Sequence, residues 1–276
     1  MRLLERNSAG QLSLTKDFIG DDIPKYAILS HTWGAKEATF RDLKYSSGES
    51  AASYDKIRFC GQKAANDGLQ FFWVDTCCID KSSSAELSEA INSMYKWYSK
   101  AEVCYAFLSD LETVQTSDSF LSDLRKCKWF TRGWTLQELI APRQVIFVNK
   151  NWVEVGDKES LSEIITEITR IDYLTLTGLP IQQLSVANRM SWASRRETTC
   201  PEDEAYCLLG IFGINMPLLY GEGGEKAFLR LQEEVLRKTE DQSIFAWSTE
   251  GVHNIETQTK HWGLLAPTPC LFENSS

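Results

Sequence analysis

Four short, uninterrupted apolar runs recur along the chain: YAILS at 26–30, FFWVDT at 71–76, VCYAFL at 103–108 and QVIFVN at 144–149. None alternates apolar with polar residues, so each predicts a parallel strand covered on both faces. Between them the period becomes helical. Residues 53–67 carry Tyr54, Ile57, Cys60 and Ala64 on one face, and residues 85–100 carry Leu87, Ile91, Met94, Tyr95 and Tyr98 on another. A third helical stretch lies within WFTRGWTLQELIAP at 129–142, and a fourth aligns Leu161, Ile164, Ile165, Ile168 and Ile171.

This alternation predicts an α/β core over residues 1–171: an open, doubly wound, mostly parallel sheet of flavodoxin-like order 2-1-3-4. Ligands of such sheets bind beyond the carboxyl ends of the strands. Here that crest holds Ser30, His31, Thr32, Trp33 and Gly34 after the first strand, the segment from Asp75 to Asp80 after the second, and the loop beyond Leu108. Residues 172–276 change character and predict a mainly helical extension packed on the core, ending in a linker at PTPCLFENSS. Gly221, Gly223 and Gly224 mark a turn before the last long helix. GEGG follows no strand and precedes no Lys-Ser/Thr pair, so it is not read as a phosphate loop.

With 276 residues, 43% of them hydrophobic, the chain can build a substantial core without staples. A net charge of −9 predicts no nucleic-acid partner. The opening MRLLERNSAGQLSLTKD has no apolar segment of signal-peptide length, and no window approaches a membrane span, so a soluble cytoplasmic chain is expected. Eight cysteines without a CxxC pair suit a reducing compartment and predict no metal site. Cys77 and Cys78, if in a strand, point to opposite faces.

The candidate chemistry centres on Glu138. At 100° per residue, Thr135, Leu136, Leu139 and Ile140 share one side of a helix, while Trp134 and Glu138 share the other. That places the carboxylate off the core face, in a cleft wall beside an indole. Several neighbours carry two readings. Trp33 and Trp134 either cover the sheet's end or stack on a ligand. Asp75 and Asp80 serve buried structural hydrogen bonds or touch substrate. Arg132 binds a phosphate or, the preferred reading, pairs with Glu138. Arg189, Arg195, Arg196, Glu202, Asp203 and Glu204 read as a solvated or intradomain ion-pair region. A competing constellation pairs His31 with Cys77 or Cys78 for acyl transfer, although cysteines in apolar runs are usually inert.

The blocks YAILSHTWG, FFWVDTCCIDK and KCKWFTRGWTLQELIAP resemble the signatures of the fungal heterokaryon-incompatibility (HET) domain. MRLLER and EDEAYCLLGIFGINMPLLYGEG resemble the HET domains that precede a nucleotide-binding oligomerisation (NOD-type) module in larger receptors. More distantly, LSH at the first strand's end and WTLQEL resemble Toll/interleukin-1 receptor (TIR) domains, whose corresponding helix carries the glutamate of NAD+ cleavage. The SHTWG crest and the helical extension depart from the TIR pattern.

This resemblance implies a cell-death effector of non-self recognition that hydrolyses the nicotinamide–ribose bond of NAD+ when clustered by an attached module. It makes Glu138 the catalytic carboxylate and NAD+ a substrate rather than a cofactor. Ser30, His31 and Thr32 then contribute donors to phosphate or ribose, with Trp33, Gly34, Asp75, Arg132 and Trp134 around them. The alternative is a non-catalytic module that oligomerises and recruits partners.

Overall fold

Three of the seven strands of the sheet escape the apolar pattern, in a computed structural model that describes residues 1–7, 9–20, 22–45, 52–115, 117–250 and 263–275. The strands are β1 (Leu4–Arg6), β2 (Leu12–Leu14), β3 (Tyr26–His31), β4 (Phe71–Trp73), β5 (Val103–Leu108), β6 (Val145–Asn149) and β7 (Glu154–Asp157), in spatial order β2-β1-β4-β3-β5-β6-β7. The central four are parallel and run second, first, third, fourth, the order expected from the alternation. β1, β2 and β7 pair antiparallel at the margins, so the α/β sheet is mixed rather than mostly parallel. Such short, polar-flanked margins are half-covered and leave little pattern to read. By contrast, every residue of β3, β5 and β6 is buried, as strands shielded on both sides require.

The helices follow their periods: α1 (Phe40–Tyr45), α2 (Ala52–Asn66), α3 (Asp75–Cys78), α4 (Ser84–Lys100), α5 (Phe120–Arg125), α6 (Thr135–Ile140) and α7 (Ser162–Thr169). Tyr54, Ile57, Cys60 and Ala64 of α2 are buried as their spacing predicts. Ser83 caps α4 by accepting from the Glu86 N–H at 3.3 Å, satisfying a donor that the helix start would otherwise orphan. The second strand is shorter than FFWVDT suggests, because the chain turns into α3 at Asp75. Cys77 and Cys78 therefore sit on a helical turn, not across a strand.

Beyond α7 come α8 (Tyr173–Leu176), α9 (Val186–Ser191), α10 (Asp203–Tyr206), α11 (Leu209–Phe212) and α12 (Gly224–Lys238). One hydrophobic cluster takes in residues of the sheet and of these helices alike. The tail is no linker: Leu271 and Phe272 are buried, and the Gln232 amide exchanges hydrogen bonds with both the N–H and the carbonyl of Ala266. An apolar CLF triplet next to a buried amide docks because exposing it forfeits that burial. Ser276 of the predicted linker lies outside the described residues.

Gly210 sets the approach of α11 to α4, since a Cβ there would stand 2.1 Å from Tyr95 Cβ. Gly210→Ala should cost about 3 kcal/mol through overpacking, measured by urea unfolding. A loss below about 1 kcal/mol would mean that this joint gives way easily.

Candidate functional site

Glu138 lies inside the protein rather than on a cleft wall. All six residues of α6 are buried, because the helix is wedged among β3, α4 and α8 and has no open side. Six residues are too few for a helical wheel to reveal enclosure by distant segments, and so the outward placement fails. The Glu138 carboxyl accepts a hydrogen bond from Ser30 Oγ, which itself accepts from Trp129 Nε1 at 2.8 Å. Burial raises the Glu138 pKa to about 8; the Ser30 bond, Tyr98 and Arg196 pull it down while the charge of Asp75 pushes it up. Near neutral pH the folded protein therefore keeps this carboxyl mostly protonated.

His31 follows Ser30 on the strand and faces the opposite side. Its Nδ1 is 2.6 Å from Lys56 Nζ and its Nε2 is 3.0 Å from Asp75 Oδ1, so the network assigns the ring proton to Nε2. Lys56 also donates to Glu37 Oε1 at 2.6 Å, which accepts the Gly34 N–H as well. Trp33 Nε1 donates to Asp75 Oδ2 at 2.9 Å, and Lys81 lies 3.5 Å from that oxygen and 3.5 Å above the Trp33 ring. Burial alone would raise the Asp75 pKa, but Lys81, His31 and Trp33 outweigh it and hold the group below the usual carboxylate range. Trp33 remains 59% exposed.

Ser30 thus meets Glu138, while His31, Trp33, Gly34 and Asp75 converge on a separate charged network. Thr32 stands beside them, 3.4 Å from Ser109. Arg132 and Trp134 do not join either group. Arg132 donates to Thr199 Oγ1 at 2.8 Å rather than pairing with Glu138, and the Trp134 indole donates to Asp203 Oδ2 at 3.0 Å. Both turn toward the extension, whose strand-like bridge at Glu197 runs alongside Arg132. Asp80 caps the turn before α4 through the Ser82 N–H at 3.0 Å.

The supposed ion-pair region is also different. Arg195 pairs with Glu273, but Glu202 accepts the N–H groups of Gly221 and Gly223, and Arg189 and Arg196 donate to backbone carbonyls. The Cys/His pair is not assembled. Cys77 donates to the Ala38 carbonyl at 3.2 Å, Cys78 accepts the Val74 N–H, and burial pushes the Cys77 thiol up to about 12 and that of Cys78 well upward. Lys56 and Glu37 were missed because they come from separate segments with no shared local motif, and nothing local to Trp129 or Arg196 signalled that they meet Ser30 and the α6 turn.

Two clefts lie elsewhere, one of about 560 Å³ beside Phe120, Arg125 and Glu167, the other of about 240 Å³ beside Arg189, Phe212 and Lys238. Neither is lined by Glu138, whose exposure is 7%.

Residues 26–115 match the family model described as heterokaryon incompatibility protein (HET), and residues 226–267 match a domain of unknown function, DUF8212. Glu138 lies beyond the first of these matches. The chain is 51% identical over 241 residues to the vegetative incompatibility protein HET-E-1 of Podospora anserina, covering 85% of this chain and 18% of that protein. No solved structure matches it. Among the described residues, no helix is long and apolar enough to cross a membrane.

Because the folded-state pKa of Glu138 lies above its unfolded value, the folded protein binds this proton more tightly. The stabilising contribution is complete below about pH 4 and is lost as pH rises toward 8. Stability should fall by about 1 kcal/mol per pH unit between pH 5.5 and 7.5 from this group. Glu138→Gln should remove that slope in urea unfolding curves. An unchanged slope in the variant would show that the carboxyl ionises freely.

Proposed function

The chain carries a domain of the heterokaryon-incompatibility (HET) family, and from that premise we propose that it is the effector part of a longer vegetative-incompatibility protein. It triggers cell death by hydrolysing the nicotinamide–ribose bond of NAD+, with Glu138 as the catalytic carboxylate. The observation that carries this reading is the placement of a single buried, high-pKa carboxyl on Ser30, next to the carboxyl end of β3. The parallel order β4-β3-β5-β6 supports a TIR-like, doubly wound interpretation of the central sheet.

Cleavage of this bond creates an oxocarbenium-like ribose, and nicotinamide leaves as a neutral molecule from a cationic ring. No general acid is needed at the leaving group. One carboxylate beneath the ribose can accept from its hydroxyls and stabilise the developing positive charge. The resting carboxyl is neutral, so it is unready for that task; the approach of the cationic nicotinamide ring favours its ionisation. Trp33, exposed at the crest, offers an aromatic face, and Thr32 offers a donor for phosphate or ribose.

Burial of Glu138 fits an effector that is off until rearranged. The chain spans 18% of its curated relative, which leaves ample length for a module that clusters copies and opens the site. That same burial favours a second reading, in which α6 is a structural wedge and the domain signals by association alone. The two readings part on chemistry.

The deciding assay is nicotinamide release from NAD+ by the artificially clustered chain, with Glu138→Gln alongside because glutamine preserves the side chain's shape in its buried setting. The parent should release nicotinamide and the variant should lose about a hundredfold or more of that rate. Silence from a parent shown to be folded and clustered would favour the association module.

A further inference from the structure

Besides the packing of α8 and the Trp134–Asp203 bond, a guanidinium of the extension reaches the Glu138 helix. Arg196 donates from Nη1 to the Arg132 carbonyl at 2.8 Å and to Thr135 Oγ1 at 3.0 Å, and from Nε to the Trp192 carbonyl at 3.2 Å. The Thr135 hydroxyl donates to the Trp129 carbonyl at 2.5 Å. The Trp129 indole donates to Ser30, and Ser30 donates to Glu138. A continuous path thus runs from the extension, through the first turn of α6, to the carboxyl.

Both bonds into the α6 turn leave Nη1 while Nε holds the Trp192 carbonyl, so the rigid guanidinium plane joins the two segments at a fixed geometry that a lysine ammonium does not reproduce. Arg196 also keeps its Nη2 buried without an acceptor. Buried donors are normally satisfied, so an orphan of this kind points to a partner that the resting state withholds. The groups acting on Glu138 are Ser30 from β3, Asp75 from α3, Tyr98 from α4 and Arg196 from the extension, with the Cys104 thiol of β5 3.9 Å from its carbonyl. Among these, Arg196 is the cation.

We propose that Arg196 is a positioning residue for Glu138, holding the α6 turn against Trp129 and Ser30 and supplying the positive neighbour toward which the carboxyl ionises when the site is engaged. The assignment rests on the NAD+ reading for its catalytic meaning, but not for its physical test. It makes the extension part of the working site, so the α/β core alone lacks a component of its own machinery.

The test follows the Glu138 carboxyl by carbon NMR in the full chain with labelled glutamate, the resonance being identified by its loss in Glu138→Gln. Arg196→Gln should raise the Glu138 midpoint by about one pH unit, and Arg196→Lys, which keeps the charge without the fork, by less. In the clustered nicotinamide assay, Arg196→Gln should lower kcat about tenfold with little change in KM, and Arg196→Lys should recover part of the loss. An unchanged midpoint in folded Arg196→Gln overturns the proposal. If that variant does not fold, Thr135→Val decides, since it cuts the path while leaving Arg196 in place: a smaller upward shift supports the link and no shift overturns it. Silence of the parent toward NAD+ would sink the catalytic reading while the titration still decides whether Arg196 governs Glu138.

Discussion

The hydrogen bond from Ser30 to the buried carboxyl of Glu138 is the constraint around which the centre of this protein is arranged. An acid taken out of water without a donor costs several kcal/mol, so burying α6 on every side requires that a polar residue interrupt an otherwise apolar strand at that position. Ser30 does so at the carboxyl end of β3, and the Trp129 indole donates to one of the serine's two acceptor lone pairs. Burial also keeps the carboxyl neutral near pH 7, which makes its low exposure tolerable.

The other side of the same strand end obeys the opposite rule. His31, Lys56, Glu37, Asp75 and Lys81 are charged or polar groups that satisfy one another at hydrogen-bond or ion-pair range. Consecutive residues of one strand thereby feed two different electrostatic environments, a neutral buried carboxyl and a charged network, which still touch through the charge of Asp75. The extension completes the enclosure, since Trp134 is tied to Asp203 and the first turn of α6 to Arg196.

Much of this was legible along the chain. Uninterrupted apolar runs identified the four parallel strands and, with the intervening helical periods, their order; the spacing of Tyr54, Ile57, Cys60 and Ala64 identified the buried face of α2. The edge strands were not legible, because three or four residues with charged neighbours carry no period. The site was legible only in part. Glu138 and the crest residues could be named, but the wheel that set Glu138 beside Trp134 on an open face assumed a solvent side that α6 does not have.

What the sequence by itself determined is the local account: which segments form the four parallel strands, which form the long helices between them, and which acid stands on the helix before β6. Tertiary structure alone decided which polar atoms meet. Ser30 reaches Glu138 rather than solvent, Arg132 reaches Thr199 rather than Glu138, and Arg196 comes from the extension to the helix that the core supplies. The physical reason is that periodicity reports how one segment divides apolar from polar surface. The pairing of a buried donor with its acceptor depends on segments far apart in sequence, whose meeting is set by packing of the whole chain.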